Sequence, residues 1–264
     1  MIAEKTIASE KYMVGTSGYS FGDWVGTFYP PGTKSADMFG LYVRHFQTVE
    51  VNYTFYRMPS ARTLESLARR SPEGFVFWIK ANRQITHEGK RELSGEFMDN
   101  LAPLAAAGKL AGVLLQFPQS FHRTIDNRKY LSAAVEGLSA APLAVEFRHA
   151  SWDHPSTCAG LRERNVAMVV PDCPNISGLF RPAPAVTGRC GYLRLHSRDA
   201  SKWYAGAAER YDYSYSQQEL WDILAGWREL QDQADRVYAF FNNCHRGQAA
   251  QNAEAFRRIL GQIA

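Results

Sequence analysis

The hexapeptide GYLRLH (Gly191–His196) alternates Tyr192, Arg194 and His196 with Leu193 and Leu195. Successive side chains of a strand point to opposite faces, so the two leucines share one face and the polar set shares the other. Charged groups inside an apolar run are costly to bury unless they meet partners. Such a strand fits a closed barrel, where one face points inward and the other meets helices.

Seven more β-rich runs flank it. They are YMVGTS (Tyr12–Ser17), TVEVN (Thr48–Asn52), FVFWIK (Phe75–Lys80), GVLLQF (Gly112–Phe117), LAVEF (Leu143–Phe147), VAMVVPD (Val166–Asp172) and VYAFFNN (Val237–Asn243). Near-continuous apolar runs are the mark of strands covered on both faces, as in a parallel sheet. Helical patterns separate them. SADMFGLYVRHF (Ser35–Phe46) sets Met38, Leu41, Tyr42 and His45 on one face, and Ser60 caps SARTLESLARR. Ser216-Gln-Gln-Glu219 is a capping box ahead of LWDILAGWREL. Further helices are expected at 97–107, 127–138, 155–164 and 248–260. The stretch Pro174–Gly188 carries three prolines, so the sixth helix is expected to be short or missing.

Alternating strands and helices define an α/β fold. Eight strands in 264 residues, with no G-x-G-x-x-G after the first, favour a single (β/α)8 TIM barrel, for which about 250 residues is typical. No linker or repeat divides the chain, so residues 1–264 are read as one domain with 1–11 as a flexible tail.

Composition excludes several classes. With 45% apolar and 21% charged residues the chain suits a globular core, and a formal charge of +4 is too mild for a nonspecific nucleic-acid binder. Cys158, Cys173, Cys190 and Cys244 have neither C-x-x-C nor zinc-site spacing and read as reduced thiols. No apolar run is long enough to span a membrane, and MIAEKTIASEKY lacks a signal core, so a cytoplasmic address without membrane contact is expected. The chain has no G-x-S-x-G elbow and no phosphate loop of the G-x-x-x-x-G-K-[ST] kind.

Extending the parity argument locates a pocket. Glu50 and Asn52 share a face of strand two, Glu146 and Arg148 extend one face of strand five, and Lys80 is in register with Trp78 on strand three. Gln116, Asp172 and Asn242 lie near the ends of strands four, six and eight. All fall at C-terminal strand ends, where barrel active sites are built. Three acids (Glu50, Glu146, Asp172) face three bases (Lys80, Arg148, Arg194). They read either as a ligand site or as a self-neutralising ion network closing the barrel. Over this face, the long segment Ser197–Tyr215 mixes Trp203, Tyr204, Tyr211, Tyr213 and Tyr215 with Arg198, Lys202 and Arg210. The first loop offers Tyr19, Trp24 and Tyr29.

The motifs GTSGYSFGDWVGTFYP, TVEVNYTFYRMP, FVFWIKANRQITH, LLQFP, VEFRHASW, YLRLH and FNN, in this order, resemble those of the YecE-like proteins, domain-of-unknown-function family seventy-two. The resemblance runs from about Gly15 to the C-terminal helix. It implies a TIM barrel and no particular reaction. Its motifs fall on Glu50, Asn52, Thr54, Tyr56, Arg57, Lys80, Thr86, His87, Gln116, Pro118, Glu146, Arg148, Trp152, Asp172, Arg194, His196, Asn242 and Asn243. Three departures from the family pattern are Tyr19 for the commoner Trp, Ser197 for Gly, and Cys244-His245 after the paired asparagines.

The balance of charge favours an anionic ligand, a phosphorylated small molecule or a nucleic-acid fragment, because guanidinium forks match phosphate and carboxylate. The reading preferred here is a hydrolase or lyase in which Glu146, His196 and Lys80 do the chemistry. Glu50, Asn52, Tyr56, Gln116, Arg148, Asp172, Arg194, Trp203 and Asn242 would bind substrate. A metal-dependent sugar isomerase is a second reading, since Glu50, Glu146, Asp172 and His196 are acceptable divalent-ion ligands. Nearby cations compete for those carboxylates, and no H-x-x-x-H or H-x-E motif occurs, so no metal or other cofactor is expected. The third reading is a non-catalytic metabolite- or nucleic-acid-binding module. Oligomeric state is left open.

Overall fold

A computed structural model describes residues 8–262. Eight strands form: β1 (Tyr12–Thr16), β2 (Thr48–Val51), β3 (Val76–Lys80), β4 (Leu110–Gln116), β5 (Leu143–Glu146), β6 (Ala167–Asp172), β7 (Cys190–Leu195) and β8 (Arg236–Phe241). Every strand begins and ends within about two residues of the sequence expectation, the scatter normal for element ends. All ladders are parallel; β2 to β8 pair successively in chain order, and β1 pairs with β8.

Closure occurs between β1 and β2, where Ser17 bridges Glu50 and the Gly18 amide donates to the Glu50 carbonyl at 2.8 Å. The approach is close. A Cβ on Gly15 would lie 2.4 Å from the Thr48 carbonyl oxygen, so only glycine lets the first and second strands meet there. The fold is a single (β/α)8 TIM barrel.

Helices Ser35–Tyr42, Ala61–Arg70, Ser94–Ala106, Ile125–Gly137, Pro155–Glu163, Gln217–Trp227 and Gln248–Ile259 follow every strand except β6. The capping box forms as expected: Ser216 Oγ accepts from the Glu219 amide, and Glu219 accepts from the Ser216 amide at 2.8 Å. After β6 the chain runs without a helix to β7. There Phe180 packs on Phe147, and its amide donates to the Arg148 carbonyl, covering the barrel wall with loop. The first helix stops at Tyr42, three residues short of His45. That residue faces outward and meets Glu254 at 2.8 Å, so it does not join the buried face. Ser9–Lys11, expected as tail, forms a short 3-10 turn, with Lys11 Nζ donating to the carbonyls of Gln231 and Ala234. Residues 1–7 of that expected tail lie outside the described residues.

Two apolar layers result. Between strands and helices lies the large outer core. Inside the barrel sits a smaller cluster of Trp78, Leu114, Ala144, Ala167, Val169, Tyr192, Tyr238 and Phe240. Trp78 meets Tyr192 edge-on at 4.7 Å, in space that Gly112 leaves open: a Cβ there would lie 2.5 Å from the indole. The inner cluster confirms the strand parity. It also makes an apolar floor beneath whatever stands at the C-terminal ends.

Overpacking a tight contact typically costs about 1–3 kcal/mol. Gly15→Ala is expected to lower unfolding free energy by about that amount, read from the urea midpoint at unchanged m-value. An unshifted midpoint would show that the barrel closes without this approach.

Candidate functional site

Directly above the apolar floor, Arg194 lies between two carboxylates. Its Nη1 donates to Glu146 Oε2 at 2.5 Å and its Nη2 to Glu50 Oε1 at 2.7 Å, with all three side chains essentially sealed from solvent. Tyr192 donates to the remaining Glu50 oxygen at 2.7 Å, and Ser17 Oγ stands 3.4 Å from Arg194 Nη2. The pattern is set by parity: Tyr192, Arg194, Glu50 and Glu146 all lie on inward-facing strand positions, so their charged groups converge on the axis.

The second Glu146 oxygen faces Arg148 Nε at 2.6 Å and His196 Nε2 at 3.3 Å. Neither contact is aligned as a directed hydrogen bond, and Glu146 holds Arg148 by opposite charge. Burial opposes ionisation of Glu146, but Arg148, then Arg194 and His196, reverse it and hold its pKa well below the usual carboxylate range. Asn242 Nδ2 lies 2.9 Å from His196 Nδ1 and fits as donor to it, which leaves the proton on Nε2, toward Glu146. Burial and then the Arg148 charge push His196 down to about 3, against the pull of Glu146, so its ring is neutral at working pH.

Lys80 differs from the arginines. It projects from the end of β3 on the inner face, half-buried, with Nζ 4.2 Å from the Phe55 ring centroid and no ion-pair or hydrogen-bond partner among the described residues. Burial, then the Arg194 charge, lower its pKa to about 7, while Glu146 and Glu50 act in the opposite direction.

Above these groups is a cavity of about 320 Å³ lined by residues that include His87, Gln116, Arg148, Trp203, Arg210 and Tyr211. Trp203 is buried beneath the β7 loop, with the guanidinium groups of Arg148 and Arg210 over its ring at 5.9 and 5.4 Å. Gln116 fixes its amide by donating to the Phe117 carbonyl at 2.7 Å. His87, held down to about 4 by burial and the Lys80 charge, presents a neutral ring beside Phe55. A larger recess, about 480 Å³, opens at the opposite end of the barrel, but none of the candidate catalytic residues reaches it.

The structure thus gathers Glu50, Lys80, Gln116, Glu146, Arg148, Arg194, His196, Trp203 and Asn242 at one end. Asn52 stands on the rim of the same face, with Oδ1 buried and unbonded. Two expected members stand apart. Asp172 shares its strand face with Met168 and Val170, which pack in the outer core. It points out of the barrel, clamped by Arg198 at 2.8 and 2.9 Å and by the Tyr215 hydroxyl at 2.8 Å. Tyr56 ends a one-turn helix and is 77% exposed, turned away from the cavity. The acids inside the barrel are therefore two, against three bases. Arg194 departs from its expected role as well: it is buried, with both Nη groups committed to Glu146 and Glu50, and it does not line the cavity. Of the loop aromatics, Tyr19, Trp24 and Tyr29 pack against the barrel top, with Trp24 donating to the Cys244 carbonyl and Tyr29 to the Tyr19 carbonyl.

Arg210 and Tyr211 come from the long loop expected over this face, while Phe55 joins the site without having been singled out for it, from a single turn where no periodicity marks it. His87 joins it too, from a family motif. Among the described residues no three His, Cys, Asp or Glu side chains are grouped to hold a metal ion. The donor set agrees with that, since Glu50 and Glu146 already accept from Arg194 and Tyr192.

A barrel with charged groups at the C-terminal ends of its strands and an apolar floor beneath them defines a TIM-barrel protein with a polar mouth. The chain belongs to the family described as Protein of unknown function DUF72, whose sequence model matches residues 13–264. The UPF0759 protein YunF of Bacillus subtilis is 32% identical over 267 residues, covering 94% of each chain. The UPF0759 protein YecE of Escherichia coli K12 is 27% identical over half of each chain. The crystal structure of a DUF72 family protein from Thermotoga maritima is 38% identical, with a TM-score of 0.88 over 95% of this chain and 99% of that one. Another from Enterococcus faecalis is 26% identical, with a TM-score of 0.85 over 96% of each chain.

Removing one partner of a buried ion group typically costs about 3–5 kcal/mol, because the remaining charges stay buried and unpaired. Arg194→Met is expected to lose stability of that order in chemical denaturation. The double exchange of Glu50 and Glu146 to Gln in the same background should recover part of it. A loss under about 1 kcal/mol would remove Arg194 from its structural role.

Proposed function

We propose that this protein is an enzyme that binds a phosphorylated or otherwise anionic small molecule in the mouth cavity and acts on it by acid/base hydrolysis or lysis. One observation carries the reading. Arg148 is the only cation of the inner ion group that combines an ionic partner with a cavity wall, its side chain 13% exposed beside Gln116 and Trp203. A guanidinium anchored from behind by Glu146 and covered by an aromatic ring is preorganised to receive an anion. Arg210 adds a second positive charge on the same wall. The volume, about 320 Å³, suits a small metabolite or a single nucleotide better than a polymer.

The protonation pattern assigns roles. Glu146, kept ionised, orients Arg148, while His196, kept neutral, presents its Nε2 hydrogen. Lys80, with a pKa near 7, is the group able to give or take a proton at neutral pH. Glu50, Asn52, Gln116 and Asn242 position these groups or the substrate around them. Four free cysteines and the lack, among the described residues, of any helix long and apolar enough to cross a membrane support action in the cytoplasm.

The test is ligand-induced stabilisation with glucose 6-phosphate and AMP, against glucose and adenosine as uncharged controls. The phosphorylated probes are expected to raise the melting temperature and the controls to leave it unchanged. Arg148→Ala should abolish the rise, measured against the variant's own unliganded melting temperature, which falls because Glu146 loses a buried ionic partner. Equal shifts with charged and uncharged probes, or shifts that survive Arg148→Ala, would contradict the reading.

A further inference from the structure

Lys80 has features that a proton carrier alone does not need. Its amine has no ion-pair partner among the described residues, although two acids stand in the same barrel layer, both committed to Arg194. One side is covered by Phe55, and the side chain is half-buried at the C-terminal end of β3 rather than sealed. Across the sheet, Val51 pairs with Ile79, which places Asn52 beside Lys80 at the next step. Thr54 Oγ1 fixes the strand end by donating to the Lys80 carbonyl at 2.6 Å. Asn52 Oδ1 is buried and has no hydrogen-bond donor among the described residues.

We propose that Lys80 is a covalent nucleophile that forms an imine with a carbonyl group of the substrate, the class being small 2-oxo acids and related anionic aldehydes or ketones. The proposal rests on the anion site at Arg148, which would hold the substrate's carboxylate or phosphate while the carbonyl meets Nζ.

The steps balance without any further reagent. The neutral amine attacks the carbonyl carbon; a C–N bond forms, the C=O pair moves to oxygen, and a proton passes from nitrogen to that oxygen. Asn52 Oδ1 is the acceptor available to the resulting carbinolamine hydroxyl. A proton from solvent then lets the hydroxyl leave as water, and the nitrogen lone pair closes the iminium. The cationic C=N withdraws electrons from the adjacent bond, which lowers the barrier to breaking a C–H or C–C bond there. An unpaired, desolvated lysine beside cationic neighbours meets the chemical requirement, because the amine must be neutral to attack. With a pKa of about 7 against 10.5, its neutral fraction at pH 7 is on the order of a thousandfold above that of an ordinary lysine.

The test traps the imine in the wild-type protein. Pyruvate and, separately, acetone are incubated with the full chain and sodium cyanoborohydride, and adducts are located by peptide mass mapping. Hydride adds to C=N and leaves a stable secondary amine, a carboxyethyl group from pyruvate or an isopropyl group from acetone. The expected result is one adduct per chain at Lys80, forming at least about tenfold faster than at any other lysine, with a rate that rises with pH through about 7. Labelling of Lys80 no faster than the other lysines by either probe would overturn the imine, whatever the phosphate probes show. Selective labelling at equal rates by pyruvate and acetone, unchanged in Arg148→Ala, would keep the imine and overturn the anion site.

Discussion

Two carboxylates and one guanidinium, all sealed from water on the axis of the barrel, set the rest of the structure. Glu50 stands on β2, Glu146 on β5 and Arg194 on β7, so the two short bonds to Arg194 tie three separated strands across the interior. A buried ion group of this kind is not a generous source of stability, since desolvation offsets most of the attraction. What it does supply is position. The apolar layer of Trp78, Tyr192 and Phe240 ends at this plane, and the side chains above it stand on a fixed electrostatic base.

From that base the functional groups sort themselves. Arg194 occupies one oxygen of each acid, Tyr192 takes the second oxygen of Glu50, and Arg148 with His196 face the second oxygen of Glu146. No carboxylate oxygen remains for Lys80. It is therefore the group whose charge the barrel does not neutralise, and burial shifts it into the neutral pH range. Two acids against three bases leave the interior at net charge +1 when Lys80 is protonated and at zero when it is not. The anion site proposed at Arg148 is compatible with either state, and only the second offers the neutral amine that the proposed imine requires.

Much of this was legible in the sequence because strand parity is a local property. Alternation alone brought Glu50, Lys80, Glu146, Arg148, Arg194 and His196 to one face, and the eight runs fixed the barrel. The proline-bearing stretch after Asp172 announced the missing sixth helix. Asp172 itself could have been read better, for Ala167 and Val169 mark the inner face of β6 and leave Asp172 on the outer one. Other features depend on contacts between distant residues. That Arg194 would bind both acids, and so be withdrawn from ligand, depends on how strands β2, β5 and β7 face each other across the axis. His87 and Arg210 reach the cavity, and Phe55 reaches Lys80, from loops and single turns, where no period predicts direction. Tyr56 failed for the same reason, its one-turn helix turning the ring to solvent.

If the Glu50–Arg194–Glu146 group leaves Lys80 without a counter-ion, the amine titrates near neutrality. Nitrogen-15 NMR of the protein labelled at lysine Nζ, recorded from pH 5 to 11, measures this directly. One Nζ resonance, assigned by its loss in Lys80→Met, is expected to titrate close to pH 7. A Lys80 resonance that stays protonated above pH 10 would contradict it.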